Sequence, residues 1–164
     1  MLEHLTIFLI ILSLNVALRA PLNNAARQID SDIFGNLPKL EEGDLIFRKG
    51  SSIESYAVLL AQNNTVQRYS HVGLIHINKN NTPMVIHAAP SSNSEKNTVQ
   101  QEPIETFWAY KNATAGLICR LEFSFAQKRI IHHQLTSIIN RNVKFDNNYD
   151  LHDTVKLYCT ELLY

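Results

Sequence analysis

A chain of 164 residues with 45% apolar and 18% charged residues has the content of one globular domain closing a single core, and this composition excludes a disordered or low-complexity protein. Fifteen basic residues balance fifteen acidic ones, so no broad positive field exists to gather nucleic acid, and none is expected as a partner. Seven histidines and two cysteines fall in no C-x-x-C or H-E-x-x-H spacing, and no nucleotide, flavin or metal motif is found, so neither cofactor nor metal is expected.

Leu5 to Leu18 is an apolar run interrupted by Thr6, Ser13 and Asn15, shorter than the roughly 20 residues that span a bilayer. Followed by small residues up to Ala20, it reads as a signal peptide over 1–20, which sends the protein to a periplasm, cell envelope or the exterior. Glu3 and His4 replace the usual basic head, and Pro21 follows the cleavage point. The alternative is an N-terminal helix that packs on the domain or associates with a membrane surface. Residues 21–42 form a polar leader, and the domain proper is assigned to 43–164.

Gly43-Asp44 marks a turn before a short strand at Leu45-Ile46-Phe47. Ser51-Ser52-Ile53-Glu54 supplies the S-x-x-E pattern of a capping box, and Ile53, Tyr56, Ala57 and Leu60 then recur at helical spacing to form a core face. Strands Ser70–Ile77 and Met84–Ala88 are joined by a turn-rich loop and predict an antiparallel hairpin. Alternation puts His71 on one face with Gly73 and Ile75 and His76 on the other, and His87 comes opposite His71.

Pro90–Asn97 is a Ser/Asn-rich rim, and a short Val99–Glu102 segment leads to Pro103, where a helix begins with Ile104, Phe107 and Trp108 on one side for packing. A strand over Leu117–Phe123 carries Cys119 as a buried, inert thiol. A helix over Ala126–Asn140 turns Ile131, Leu135 and Ile138 to the core and leaves His132-His133 solvated and structural. Val143–Leu157 is a polar connection containing Asp146, Tyr149 and Asp150.

In Tyr158-Cys159-Thr160-Glu161, the cysteine falls at the first turn of a predicted helix, where unpaired N–H groups and the macrodipole are expected to pull its pKa below about 8.5. His71 is the proposed base and later acid, since imidazole titrates near neutrality, and His87 is assigned to orient it. The Cys159 N–H, with the hydroxyl of Tyr149 or Tyr158, would complete an oxyanion site. Glu161 is read as support for the turn.

Gly43–Phe47 (GDLIF), Tyr69–Ile75 (YSHVGLI), Val85–Ala89 (VIHAA) and Tyr158–Tyr164 (YCTELLY), in that order, resemble the permuted NlpC/P60 papain-like proteins of the YiiX/YaeF type, and more distantly lecithin:retinol acyltransferase. The resemblance implies an α+β fold, a circularly permuted papain-like arrangement with an antiparallel sheet packed on helices. It also implies an exported cysteine hydrolase or amidase, cleaving an amide or ester of a cell-wall peptide or acylated lipid through an acyl-thioester. This chain departs from the pattern in three places. His87 stands where relatives often carry an acid, the stretch between Tyr149-Asp150 and Tyr158-Cys159 is short, and the helix after Cys159 stops at Tyr164, which predicts a truncated C-terminal helix. Two other outcomes fit the same residues: a non-catalytic envelope protein that binds lipid or peptide, and an inactive remnant.

Overall fold

The computed structural model describes residues 37, 39–61, 69–91, 97–109, 111–150 and 155–163. The signal peptide over 1–20 and most of the leader lie outside these residues. Among them, no helix is long and apolar enough to cross a membrane.

The framework is a five-stranded antiparallel sheet in the order β4-β3-β2-β1-β5, built from β1 (Leu45–Gly50), β2 (His71–Ile77), β3 (Pro83–Ala88), β4 (Val99–Glu102) and β5 (Ala113–Cys119). Helix α1 (Ile53–Ala61) follows β1, a single turn α2 (Ile104–Phe107) follows β4, and α3 (Phe125–Asn140) follows β5. Two short parallel strands, β6 (Lys144–Phe145) and β7 (Lys156–Leu157), precede a turn of 3-10 helix at Glu161–Leu163.

Alternation along the strands gives the sheet two apolar faces. Ile46, Ile75, Val85 and Ile118 pack with Ile104, Phe107 and Trp108 of the α2 region. Leu45, Leu74, Ile86 and Ala88 pack on the other face with Leu135 of α3, Phe145 and Leu162. Leu37 and Leu40 pack against the α2-side cluster, so residues assigned to the leader already belong to the folded domain. Trp108 is buried, as its packing role predicts, and its indole Nε1 donates to the Phe47 carbonyl at 3.0 Å. It packs against Gly116, where a Cβ would come within 2.6 Å of the ring.

Three sequence expectations shift. The α1 helix exists, but its packed residue is Leu59, while Ile53, Tyr56 and Leu60 are exposed. Its N-terminal cap is Ser52, whose hydroxyl accepts from the Ser55 N–H at 3.1 Å, one residue later than the S-x-x-E reading. The strand expected over Leu117–Phe123 runs instead over Ala113–Cys119, because Arg120 leaves the ladder to bind Asp44 with two hydrogen bonds, Nε to Oδ1 at 2.8 Å and a terminal nitrogen to Oδ2 at 2.7 Å. The residues after Cys159 form 3-10 helix, not the start of an α-helix.

Candidate functional site

The β2–β3 register pairs Leu74 with Ile86 and so brings His87 beside Gly73, two residues along the strand from His71 and on the same face. The side chain of His71 reaches diagonally across this gap, and its Nε2 lies 2.8 Å from His87 Nδ1. The two rings meet edge to face, 5.0 Å apart between centroids. Gly73 makes room for the approach: a Cβ there would stand 2.7 Å from Val85 Cγ1 and 3.2 Å from the His87 Cβ. Both rings also contact Phe107, at 5.8 Å from His71 and 5.2 Å from His87.

Glu102, which sequence reading did not single out, closes the far side. Its Oε1 lies 3.0 Å from His87 Nε2, close enough for an ion pair but off the line of the ring N–H, so that nitrogen lacks an aligned hydrogen bond. Arg48 holds this corner, with one terminal nitrogen donating to the Phe107 carbonyl at 3.0 Å and standing 3.9 Å from Glu102 Oε1, while the guanidinium lies 4.5 Å above the Phe107 ring. A carboxylate offers only acceptors, so it favours the His87 tautomer protonated on Nε2. His87 Nδ1 then accepts from His71 Nε2–H, which leaves a lone pair on His71 Nδ1. Burial pushes the His71 pKa well below its ordinary value, reinforced by His87 and Arg48. Burial also lowers His87, although Glu102 opposes the shift. Both rings are therefore neutral near pH 7, as a proton acceptor must be.

Cys159 follows β7 at the end of the sheet that carries His71. The chain arrives there because Thr98 bridges to Lys144, Val99 donates to the Val143 carbonyl at 2.8 Å, and β7 pairs with β6. The turn is closed by Glu161, whose Oε2 accepts from the Tyr158 N–H at 3.0 Å, in line with its expected supporting role. The expected thiol activation is reversed. Burial pushes the Cys159 pKa up, and the N–H groups of Thr160 and Cys159 only partly offset it. Three residues of 3-10 helix carry too few aligned peptides to supply the macrodipole that a long helix would.

Among the described residues, no hydrogen bond joins Cys159 to His71 or His87. Neighbouring Tyr158 packs on the α3-side cluster, whereas both imidazoles touch Phe107 on the α2 side. Tyr149 and Tyr158 lie side by side, with centroids 5.5 Å apart, and Tyr149 adopts a positive φ of 53° after the turn closed by buried Asp146. A groove of about 650 Å3 opens between α3 and the C-terminal segment, walled by Leu45, Leu74, Ile138, Leu157, Leu162 and Leu163. Cys119 is half-buried on β5, and burial raises its pKa, as expected of an inert thiol.

A second polar cluster lies toward the other end of β2. Glu42 Oε1 is 3.0 Å from His76 Nδ1, and its Oε2 is 3.0 Å from His132 Nδ1 and accepts from the Ile77 N–H at 2.9 Å. Burial works against the charge on Glu42, but these hydrogen bonds outweigh it and hold the carboxyl below its ordinary pKa. His132, expected to be merely solvated, is half-exposed but engaged, with its ring 4.7 Å from that of His76. The ligand spacing is absent from the sequence because the three residues come from three separate elements.

No family model matches the chain, and no curated protein matches it. A solved structure, described as the metalloprotein yiiX from Escherichia coli O157:H7, is similar to it at 23% identity and a TM-score of 0.59, covering 76% of this chain. The chain matches 62% of the length of that protein. The likeness is one of architecture: this chain has an α+β, yiiX-like fold built on a five-stranded antiparallel sheet.

Proposed function

We propose that the protein is a thiol-dependent hydrolase or acyltransferase of the permuted papain-like kind, acting on the amide or ester of an acylated lipid. The observation that carries this reading is the hydrogen-bonded His71–His87 pair, with His87 buried and backed by Glu102, which leaves a neutral imidazole with a defined basic atom. Cys159 is the nucleophile. Because burial keeps its thiol protonated at rest, the reaction begins with proton transfer, not with a preformed thiolate. His71 takes the thiol proton as sulfur attacks the acyl carbonyl carbon, and the Cys159 N–H with Tyr149 or Tyr158 receives the oxyanion. Collapse breaks the bond to the amine or alcohol, which leaves with the proton from His71. Water, deprotonated by His71, then attacks the thioester carbon; the carbon–sulfur bond breaks and the thiol regains its proton.

The apolar groove lies on the α3 face and is lined by neither Cys159 nor the imidazoles, but its wall includes Leu162 and Leu163 just after Cys159, so an acyl chain held there would have to pass these residues to bring its carbonyl to the thiol. Such a lining favours an acyl chain over a cell-wall peptide. The same groove also supports a second reading, in which the protein binds an acyl chain without cleaving it. Export through residues 1–20 belongs to this proposal and would place the enzyme in an envelope or outside the cell. The solved neighbour is described as a metalloprotein, whereas the proposed hydrolysis uses side chains of this protein alone.

p-Nitrophenyl esters of short and long acyl chains test the reading, with intact mass recorded during turnover. A thioester adduct on Cys159, preference for the long chain, complete loss in Cys159→Ala and a loss of about 100- to 10,000-fold in His71→Ala are expected. Saturable retention of the long-chain ester with no adduct would favour the binding protein. Turnover unchanged in Cys159→Ala would overturn the mechanism.

A further inference from the structure

We propose that Glu42, His76 and His132 form a binding site for a divalent first-row transition ion, with zinc as its reference occupant. One carboxylate oxygen and two imidazole nitrogens, one from each residue, all lie within 4.8 Å of one another. Zinc holds nitrogen and oxygen donors at about 2.0–2.2 Å, which sets neighbouring donors of a tetrahedral site roughly 3.3 Å apart. Glu42 already contacts each histidine at 3.0 Å, His76 through Oε1 and His132 through Oε2, so a small rotation of the carboxylate would present one oxygen to an ion seated between the two Nδ1 atoms. Two imidazoles and a carboxylate are also the donor types such ions take, and three protein ligands leave a coordination position for water.

The surroundings hold the donors in place. Glu42 is fixed from behind by the Ile77 N–H, and the adjoining turn is pinned by the Gly43 N–H on the Ile75 carbonyl at 2.9 Å. Such an outer hydrogen bond fixes the direction in which a ligand points. Lys128, one turn before His132 on α3, is bound to Glu41, so that ammonium is committed to the neighbouring carboxylate. The side chains of His76 and Glu42 are 8% and 11% exposed while that of His132 is 50% exposed, which supplies a fixed floor and an open approach for an ion. Filling the site would require both Nδ1 atoms, which now face the Glu42 carboxylate, to present lone pairs to the ion. It would also tie the N-terminal approach to β1, the end of β2 and helix α3 through one atom.

The experiment uses the full chain stripped with a chelator and then titrated with zinc against a chromophoric competitor, with cobalt absorption as a second readout. The expected result is one ion per chain, a four-coordinate cobalt spectrum without thiolate charge-transfer bands, and a rise in unfolding temperature on adding zinc. His132→Ala, a half-exposed change that leaves the sheet intact, should weaken binding at least about tenfold, and Glu42→Gln similarly. His133→Ala and Cys159→Ser should bind as the wild type does. No zinc bound, equal affinity in His132→Ala, or loss in Cys159→Ser instead would overturn the proposal. None of these outcomes depends on hydrolysis, so failure here is distinct from failure of the thiol mechanism.

Discussion

His87 is held between His71 on one ring nitrogen and Glu102 on the other, and its charge state is set mainly by burial. Glu102 acts through His87, as a positioning residue. Glu102→Gln can offer its amide hydrogen atoms to His87 Nε2 and so favours the wrong tautomer, with His71 Nε2 turned acceptor. We expect kcat on the long-chain ester to fall by roughly 10- to 100-fold with KM little changed, and the pH profile to move; a purely structural role would leave the profile in place. Burial has a further consequence for stability. The unfolded chain takes up protons on both histidines near pH 6.5, whereas the folded chain resists them because both folded pKa values are depressed. Stability should therefore be fully present above about pH 6.5 and decline as pH falls toward the folded values, by up to about 1.4 kcal/mol per pH unit for each histidine. Urea denaturation at stepped pH checks this, and the slope should flatten in a His71→Asn, His87→Asn variant.

Among the elements, α3 was readable from its pattern because one stripe serves one core: Leu135 is buried, and Ile131 and Ile138 pack beside it. Its start is fixed by a capping box, in which Ser124 accepts from the Gln127 N–H and the Gln127 side chain accepts from the Ser124 N–H at 2.9 Å. Ser124→Ala should cost about 1 kcal/mol, read as a shift in the urea midpoint at unchanged slope. The α1 face was misjudged because Ile53, Tyr56 and Leu60 have helical spacing yet lie away from the sheet. Periodicity reports that a helix has an apolar stripe, not which neighbour covers it. The β2–β3 hairpin was legible but its register is offset by two residues from the expected one, and the offset mattered: His87 stands beside Gly73 and reaches His71 only across the space that a missing side chain leaves. Gly73→Ala should destabilise by about 1–3 kcal/mol through overpacking and slow ester turnover together.

At the scale of the molecule, the sheet was predictable from alternation and turns, but the partners of its polar residues were not. Glu102, Glu42 and His132 reach their contacts from different elements, and no local spacing encodes such meetings. The same holds for Asp44, which is 2% exposed and paired with Arg120 across the junction of β1 and β5. Arg120→Ala would leave this buried carboxylate without its cation and should cost about 3–5 kcal/mol in global unfolding, with Asp44→Asn, Arg120→Ala recovering part of the loss.

Strands β1 to β4 lie next to one another in the order of synthesis, but β5 crosses over to the far side of β1, where Leu45 meets Cys119. A nascent chain can thus assemble the four-strand meander early, while the first strand keeps one hydrogen-bonding edge open until the polypeptide through Cys119 has been made. That interval is when the protein is most prone to pair with a stranger, and closure over so long a loop makes the last step of folding its slow one.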